Sequence, residues 1–262
     1  MQSCIPKQSL YIGPDWIMYA GPDGYEHSQM LSPAILLGAP GKPLLCQFSD
    51  GELSASCLLH PAGVWSSVSP APFIVIYLDP LSTSGRTIQY GCGAPKRSAQ
   101  ALDRLPDYAA IFARISNADL SARDATLFME ALRTSIEVTG GRRMEDARLE
   151  CVAGMLSENP VGRLDLKRLA SRVGLSSEHL RHLFKQQTGI TLSKYKTWNQ
   201  LHVMLCHIVR TQGPIYNWDT HETLQSAGFY DDAHGYRTLS RYFGPQRSMA
   251  DKALLLVNCL AG

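Results

Sequence analysis

The chain has 262 residues, 45% of them apolar and 18% charged. These values exclude a disordered or fibrous chain and leave room for two modest domains or one large one. Its net charge of +2 hides an asymmetry: residues 1–141 carry 9 Lys+Arg against 12 Asp+Glu, whereas residues 142–262 carry 16 against 11 and six of the eight histidines. Between Arg163 and Arg210 there are nine basic residues and two acids, Asp165 and Glu178. Such a local excess points to a polyanionic partner, the alternative being an ordinary solvated basic surface.

Seven cysteines (Cys4, Cys46, Cys57, Cys92, Cys151, Cys206 and Cys259) are odd in number and include no CxxC pair. They supply neither a zinc spacing nor a disulfide framework, which suits a reducing cytoplasm and buried small hydrophobes. The opening MQSCIPKQSLYIGPDW has no apolar core of signal-peptide length, and no run approaches 18 apolar residues. The expectation is a chain that is neither exported by that route nor membrane-spanning.

From Leu10 to about Leu81 the text reads as strands. Runs at Trp16–Ala20, Ala34–Leu37, Leu44–Phe48, Ser56–Leu59 and Phe73–Leu78 are separated by GPDG, APGKP, SDGE and SPAP, which is turn chemistry. Five or more short strands at about ten-residue spacing predict a small antiparallel barrel or sandwich. Residues 82–96 read as a loop, or as a last strand followed by a loop. Helical periodicity begins after Pro95, over 98–115 (Leu105, Tyr108, Ile111, Phe112, Ile115) and over 121–138 (Leu127, Phe128, Ala131, Leu132, Ile136), with Ser121 as N-cap. Two such helices make a hairpin that packs on the barrel or on another subunit. Gly140-Gly141-Arg142-Arg143 is the candidate linker, and the chain reads as helical nearly to its end.

One helical pattern breaks and resumes. Leu166, Leu169, Ala170 and Val173 form one apolar stripe, and Leu180, Leu183 and Phe184 form the next. Gly174 can take the positive φ that ends a helix, and Ser176 can cap its successor. This predicts a helix-turn-helix whose second helix turns Glu178, Arg181, His182 and Lys185 outward. A face of that kind fits a major groove, where Arg bonds guanine bidentately and Lys or His reaches phosphates or base edges; the alternative is a helical hairpin with a solvated face.

The segment LASRVGLSSEHLRHLFKQQTGITLSKYKTW resembles the first helix-turn-helix of the AraC/XylS transcription regulators. Leu169, Ala170, Gly174, Ser176, Leu180, Phe184, Lys185, Gly189 and Tyr195 fall in register with it, followed by a connecting helix from about Ser193 to Val209. SAGFYDDAHGYRTLSRYFGPQRS is similar to that family's second motif, through Gly228-Phe229, His234, Arg237 and Tyr242-Phe243-Gly244. The resemblance covers about Val152 to Met249. It implies an α+β chain: a small cupin-like β-barrel (1–95) that senses a ligand or partner, a helical dimerisation hairpin and linker (96–141), and an all-α DNA-binding domain with two helix-turn-helix motifs (142–262).

By position, the resemblance assigns base contacts to Glu178, Arg181, His182 and Lys185 in the first unit and to Asp232, Ala233, Tyr236 and Arg237 in the second. Lys167, Arg168, Lys194, Lys196 and Arg241 are expected phosphate contacts, which position without specifying sequence. The expected core of the two units includes Leu169, Ala170, Val173, Gly174, Leu180, Phe184, Gly228, Phe229, Leu239 and Phe243. The partners implied are double-stranded promoter DNA, a second copy through 98–138, RNA polymerase, and a small effector or regulatory protein. The place implied is a bacterial cytoplasm.

The second motif departs from the family. Gly235 stands where a large apolar residue is usual, so a gap is expected unless a neighbour such as Tyr236 fills it. Thr220 and Thr223 replace Ile, and Asp231 and Asp232 bring negative charge to a helix that should meet phosphates. The first unit is therefore expected to carry most of the affinity. In the N-terminal half, LLHPAGVWSSV resembles a family segment but has Trp65 where His is common. With only His27 and His60, that half lacks the ligands of a metal-dependent cupin enzyme. His60 is expected to be a strand-end residue, and no enzyme activity, metal or cofactor is expected. The rival function is a regulator that acts mainly by pairing with another protein and binds DNA weakly.

Overall fold

A computed structural model of the chain describes residues 8–21, 25–49, 51–69, 73–90, 99–102, 108–117, 119–138, 146–158, 165–211, 220–243 and 254–260. Nine strands open it: β1 (Gln8–Ile12), β2 (Trp16–Gly21), β3 (Tyr25–Gln29), β4 (Ala34–Gly38), β5 (Leu44–Phe48), β6 (Gly51–Ala55), β7 (Cys57–His60), β8 (Trp65–Ser69) and β9 (Phe73–Leu78). Helix α1 (Thr83–Tyr90), the short β10 (Gln100–Ala101), α2 (Ala109–Ser116) and α3 (Ala122–Val138) follow. Then come α4 (Ala147–Glu158), α5 (Leu166–Arg172), α6 (Ser177–Thr188), α7 (Leu192–Thr211), α8 (Thr220–Ser226), α9 (Asp232–Phe243) and a final strand, β11 (Leu254–Asn258).

The expected barrel is realised as two sheets around a shared core. One has the order β10-β7-β4-β9-β2-β1-β11, the other β3-β8-β5-β6. Successive side chains on a strand point to opposite faces, so a strand covered on both sides reads as a continuous apolar run. AILLG and FIVIYL are such runs. Ala34, Leu36, Phe73, Val75 and Tyr77 share one core with Leu44, Cys46 and Val68 of the smaller sheet. Ile35, Leu37, Ile74, Ile76 and Leu78 share another with Phe112 and Ile115 of α2 and Phe128, Met129, Leu132 and Ile136 of α3. The hairpin thus packs on its own sheet, while Leu127 (53%) and Val138 (71%) stay exposed. The first core runs on without a break into Leu149, Ala170, Leu180, Phe184, Tyr195 and Trp198 of the helical half.

The structure corrects three expectations. Residues 83–90 form a helix, not a loop. TSGRTIQY has no apolar stripe, and its N-terminal end is held by side chains: Ser82 Oγ accepts the Gly85 N–H (3.0 Å) and Asp79 Oδ1 accepts the Leu81 N–H (2.7 Å). The helix expected over 98–115 begins only at Ala109, because Gln100 and Ala101 pair with Leu59 and Leu58 of β7. The helical half also does not keep its own end: β11 pairs in parallel with β1, from Gln8 opposite Leu254 to Ile12 opposite Asn258. Ser121 caps α3 as expected, accepting the Asp124 N–H at 3.2 Å. The candidate linker Gly140–Arg143 lies outside the described residues.

Candidate DNA interface

The first helix-turn-helix is built from local signals that agree. Asp165 caps α5 by accepting the Arg168 N–H at 3.0 Å. The Leu175 N–H then bonds back to the Ala170 carbonyl (2.9 Å) across Gly174, whose φ is 67°. That is the left-handed closure a helix end takes most readily with glycine. No atom stands within 4 Å of a Cβ placed there, so conformation and not crowding calls for Gly. Ser176 accepts the His179 N–H (3.1 Å) and starts α6 at once. Leu180 and Phe184 are fully buried, Ala170 nearly so, and Phe184 lies against Tyr195 of α7 with ring centroids 5.7 Å apart.

On this base Glu178, Arg181, His182 and Lys185 are all exposed on α6, with Lys167 and Arg168 exposed on α5 beside them. Lys196 is half-buried. Lys194 Nζ donates to Gln29 Oε1 of β3 at 3.1 Å, which ties α7 to the smaller sheet.

The second unit is more complete than its sequence suggests. The place left by Gly235 is taken by Leu224 of α8. A Cβ on Gly235 would clash with Leu224 Cδ2 and lie 3.0 and 3.1 Å from its Cδ1 and Cγ. Leu224, Ala227 and Phe229 are buried in the core, and Phe229 meets the His234 ring edge-on at 5.6 Å. Thr223 of α8 is buried as well. Gln200 of α7 donates to the Gly228 carbonyl (2.7 Å), which anchors the turn.

The two acids at the start of α9 are both engaged. Asp231 Oδ1 accepts the His234 N–H at 2.6 Å, and Asp232 Oδ1 pairs with His221 Nδ1 at 3.0 Å. Ala233 and Arg237 are exposed. The side chains of Tyr236, Leu239, Arg241 and Phe243 lie outside the described residues.

Beside the shared apolar core, the seam between the β-rich half and the first unit carries a set of hydrogen bonds that nothing periodic in the sequence announces. Tyr90 Oη donates to the Lys185 carbonyl (2.9 Å) near the end of α6. Gln89 accepts the Ala62 N–H (2.8 Å) and lies so close to Gly189 that a Cβ there would clash with it. Asp79 Oδ2 accepts from Tyr195 Oη (3.5 Å), and burial pushes the Asp79 carboxyl up to about 6 against these hydrogen bonds. His202 Nε2 donates to the Gly13 carbonyl (2.8 Å) and stacks on Trp198. Burial also lowers the His202 pKa. On the sheet behind, Asp15 pairs with Arg133.

His60 ends β7, fully buried, with Nδ1 donating to the Pro61 carbonyl (2.9 Å) and Nε2 accepting from Ser66 Oγ (2.7 Å). Burial pulls it down to about 4, so the ring is neutral. Among the described residues no three His, Cys, Asp or Glu stand together as metal ligands, and no helix is long and apolar enough to cross a membrane.

Fold and site together define a helix-turn-helix protein with a β-rich N-terminal half. Residues 156–195 match the model of the bacterial regulatory helix-turn-helix proteins, AraC family. No curated protein matches it in sequence. Its fold is similar to that of ToxT from Vibrio cholerae strain O395 at 8% identity, with a TM-score of 0.52 over 90% of this chain and 93% of that one. It is similar also to wild-type ToxT from Vibrio cholerae strain SCE256 with an unsaturated fatty acid bound, again at 8% identity, TM-score 0.51, over 87% and 92% of the two chains. The AraC-like transcriptional activator CuxR aligns at 13% identity over 71% of this chain and 74% of that one, with a TM-score of 0.33.

Proposed function

We propose that the chain is a sequence-specific DNA-binding transcription regulator, an activator governed through its β-rich half by a small effector or a partner protein. The observation that carries this reading is the α6 face. Arg181, His182 and Lys185 stand exposed beside Lys167 and Arg168 on a rigid, fully buried footing. Groove reading needs that combination, since a base contact specifies only when its helix is fixed. Residues 1–95 act as the sensor, 96–141 as the dimerisation hairpin and linker, and 142–262 as the reading domain, with β11 returning to the sensor sheet. Exposed Leu127 and Val138 on α3 favour a homodimer through that helix, and the activator role makes RNA polymerase a further partner. The polar seam gives the effector its route. Asp79, Tyr90 and Gln89 touch the elements that set the angle of α6, so a ligand that shifts the β-rich half shifts the reading head. ToxT with its bound unsaturated fatty acid is the precedent for a small effector on this fold.

Binding of the full chain to duplex DNA, titrated at several salt concentrations, tests the reading. With four or five phosphate contacts the slope of log K against log salt is expected near about −4. A slope near zero, or no binding at all, would favour action by pairing with another regulator.

A further inference from the structure

A chain of side chains spans both helices of the second unit on its exposed side. Gln225 Nε2 lies 3.1 Å from His221 Nε2, and His221 Nδ1 lies 3.0 Å from Asp232 Oδ1. One tautomer satisfies both bonds: the Gln225 amide donates to Nε2, so the ring proton sits on Nδ1 and is donated to the carboxylate. His221 and Gln225 are one turn apart on α8, and Asp232 is the first residue of α9. Neighbouring Asp231 is committed to the backbone of its own helix. Asp232 is 41% exposed and keeps Oδ2 for a partner outside the protein.

We propose that His221 is a positioning residue that holds Asp232 so that its Oδ2 accepts a hydrogen bond from the N4 amine of a cytosine in the major groove. The inference rests on the DNA-binding reading above and adds a base to it. Chemistry selects the base. A carboxylate is a pure acceptor, and cytosine's own groove edge shows a donor and no acceptor. Guanine presents two acceptors and thymine one, while adenine sets N7 beside its amine, where it repels the second oxygen. The acidic start of α9, which repels phosphates, is then a reading group with one oxygen fixed and one offered.

The test is selection of duplexes from a random library by the full chain, carried out with the wild type, Asp232→Ala, His221→Ala and His221→Asn. The wild type should enrich cytosine at one position about five- to tenfold over the other bases. Asp232→Ala should flatten that position alone. His221→Ala should reduce the enrichment at least about twofold and leave the other positions intact. His221→Asn, whose amide can replace the Nδ1–H donor, should restore it. Two outcomes overturn the proposal: cytosine enrichment that survives Asp232→Ala, and a His221→Ala variant that binds more weakly at every position alike, as a mere support of the helix would. A wild type with no sequence preference at all overturns the DNA-binding reading as well.

Discussion

The exchange between Gly235 and Leu224 predicts a coupling with a definite sign. Gly235→Ala places a Cβ inside the van der Waals surface of Leu224 Cδ2, with two further Leu224 carbons at 3.0 and 3.1 Å. Leu224 is buried among Ala227 and Phe229 and has little room to withdraw. Overpacking of this kind costs about 1–3 kcal/mol, offset by about 1 kcal/mol of helix propensity gained on replacing Gly. The single variant should therefore be neutral to about 2 kcal/mol less stable. Leu224→Ala opens a cavity and should cost about 2–5 kcal/mol. In that background the clash is gone, so adding Gly235→Ala should stabilise by about 1 kcal/mol. The interaction energy expected from the cycle is about 1–3 kcal/mol, favouring the double variant over the sum of the singles. Urea unfolding of the four proteins, compared at equal m-value, measures it. Effects that add within about 0.5 kcal/mol would show that the two residues do not fill each other's space.

Further consequences follow from the site and the seam. Arg181→Ala should weaken specific DNA binding by about 1–3 kcal/mol and relax preference at one base; equal loss on random DNA would make Arg181 a phosphate contact. Lys167→Ala should weaken all sequences alike and flatten the salt slope by about one unit, as titration at two salt concentrations would show. Burial raises the Asp79 carboxyl from 3.8 to about 6, so the folded chain keeps a proton that the unfolded chain has released between those values. The contribution of Asp79 to stability is full below about 4, falls as pH rises to about 6, and is level above. Asp79→Asn keeps an acceptor for the Leu81 N–H and should remove that slope from a pH series of unfolding midpoints. Leu256→Ala, in the strand that completes the larger sheet, should lower stability by about 2–5 kcal/mol in thermal unfolding, although it touches neither reading head.

What could be read from the sequence was what neighbouring residues decide among themselves. Gly174 and Ser176 each act within a few residues of their own position, so the turn of the first helix-turn-helix and the exposed face of its second helix are legible, whereas the Asp165 cap is seen only in the structure. The continuous apolar runs of β4 and β9 announced strands for the same reason. They said nothing of having two covered faces, since that depends on α2 and α3 arriving later in the chain. Helix α1 is not legible because its stability is tertiary: TSGRTIQY lacks a stripe and is packed between α3, α6 and β7. β11 was missed because its partner lies some 246 residues earlier, at Gln8–Ile12. At Gly235 the sequence leaves open which neighbour fills the gap, because that side chain, Leu224, lies eleven residues upstream on another helix. The bond from Lys194 to Gln29 is not legible in the sequence, since Gln29 sits on a strand that no local pattern connects to α7.

The central question is whether this chain reads DNA sequence through α6. The direct measurement is cross-linking and genome-wide mapping of the sites occupied in the host by the wild type and by Arg181→Ala. The expected result is a set of discrete sites sharing a two-part motif, with its halves about one helical turn apart and the half read by α6 lost in the variant. Occupancy that is diffuse, or discrete but unchanged by Arg181→Ala, would contradict it.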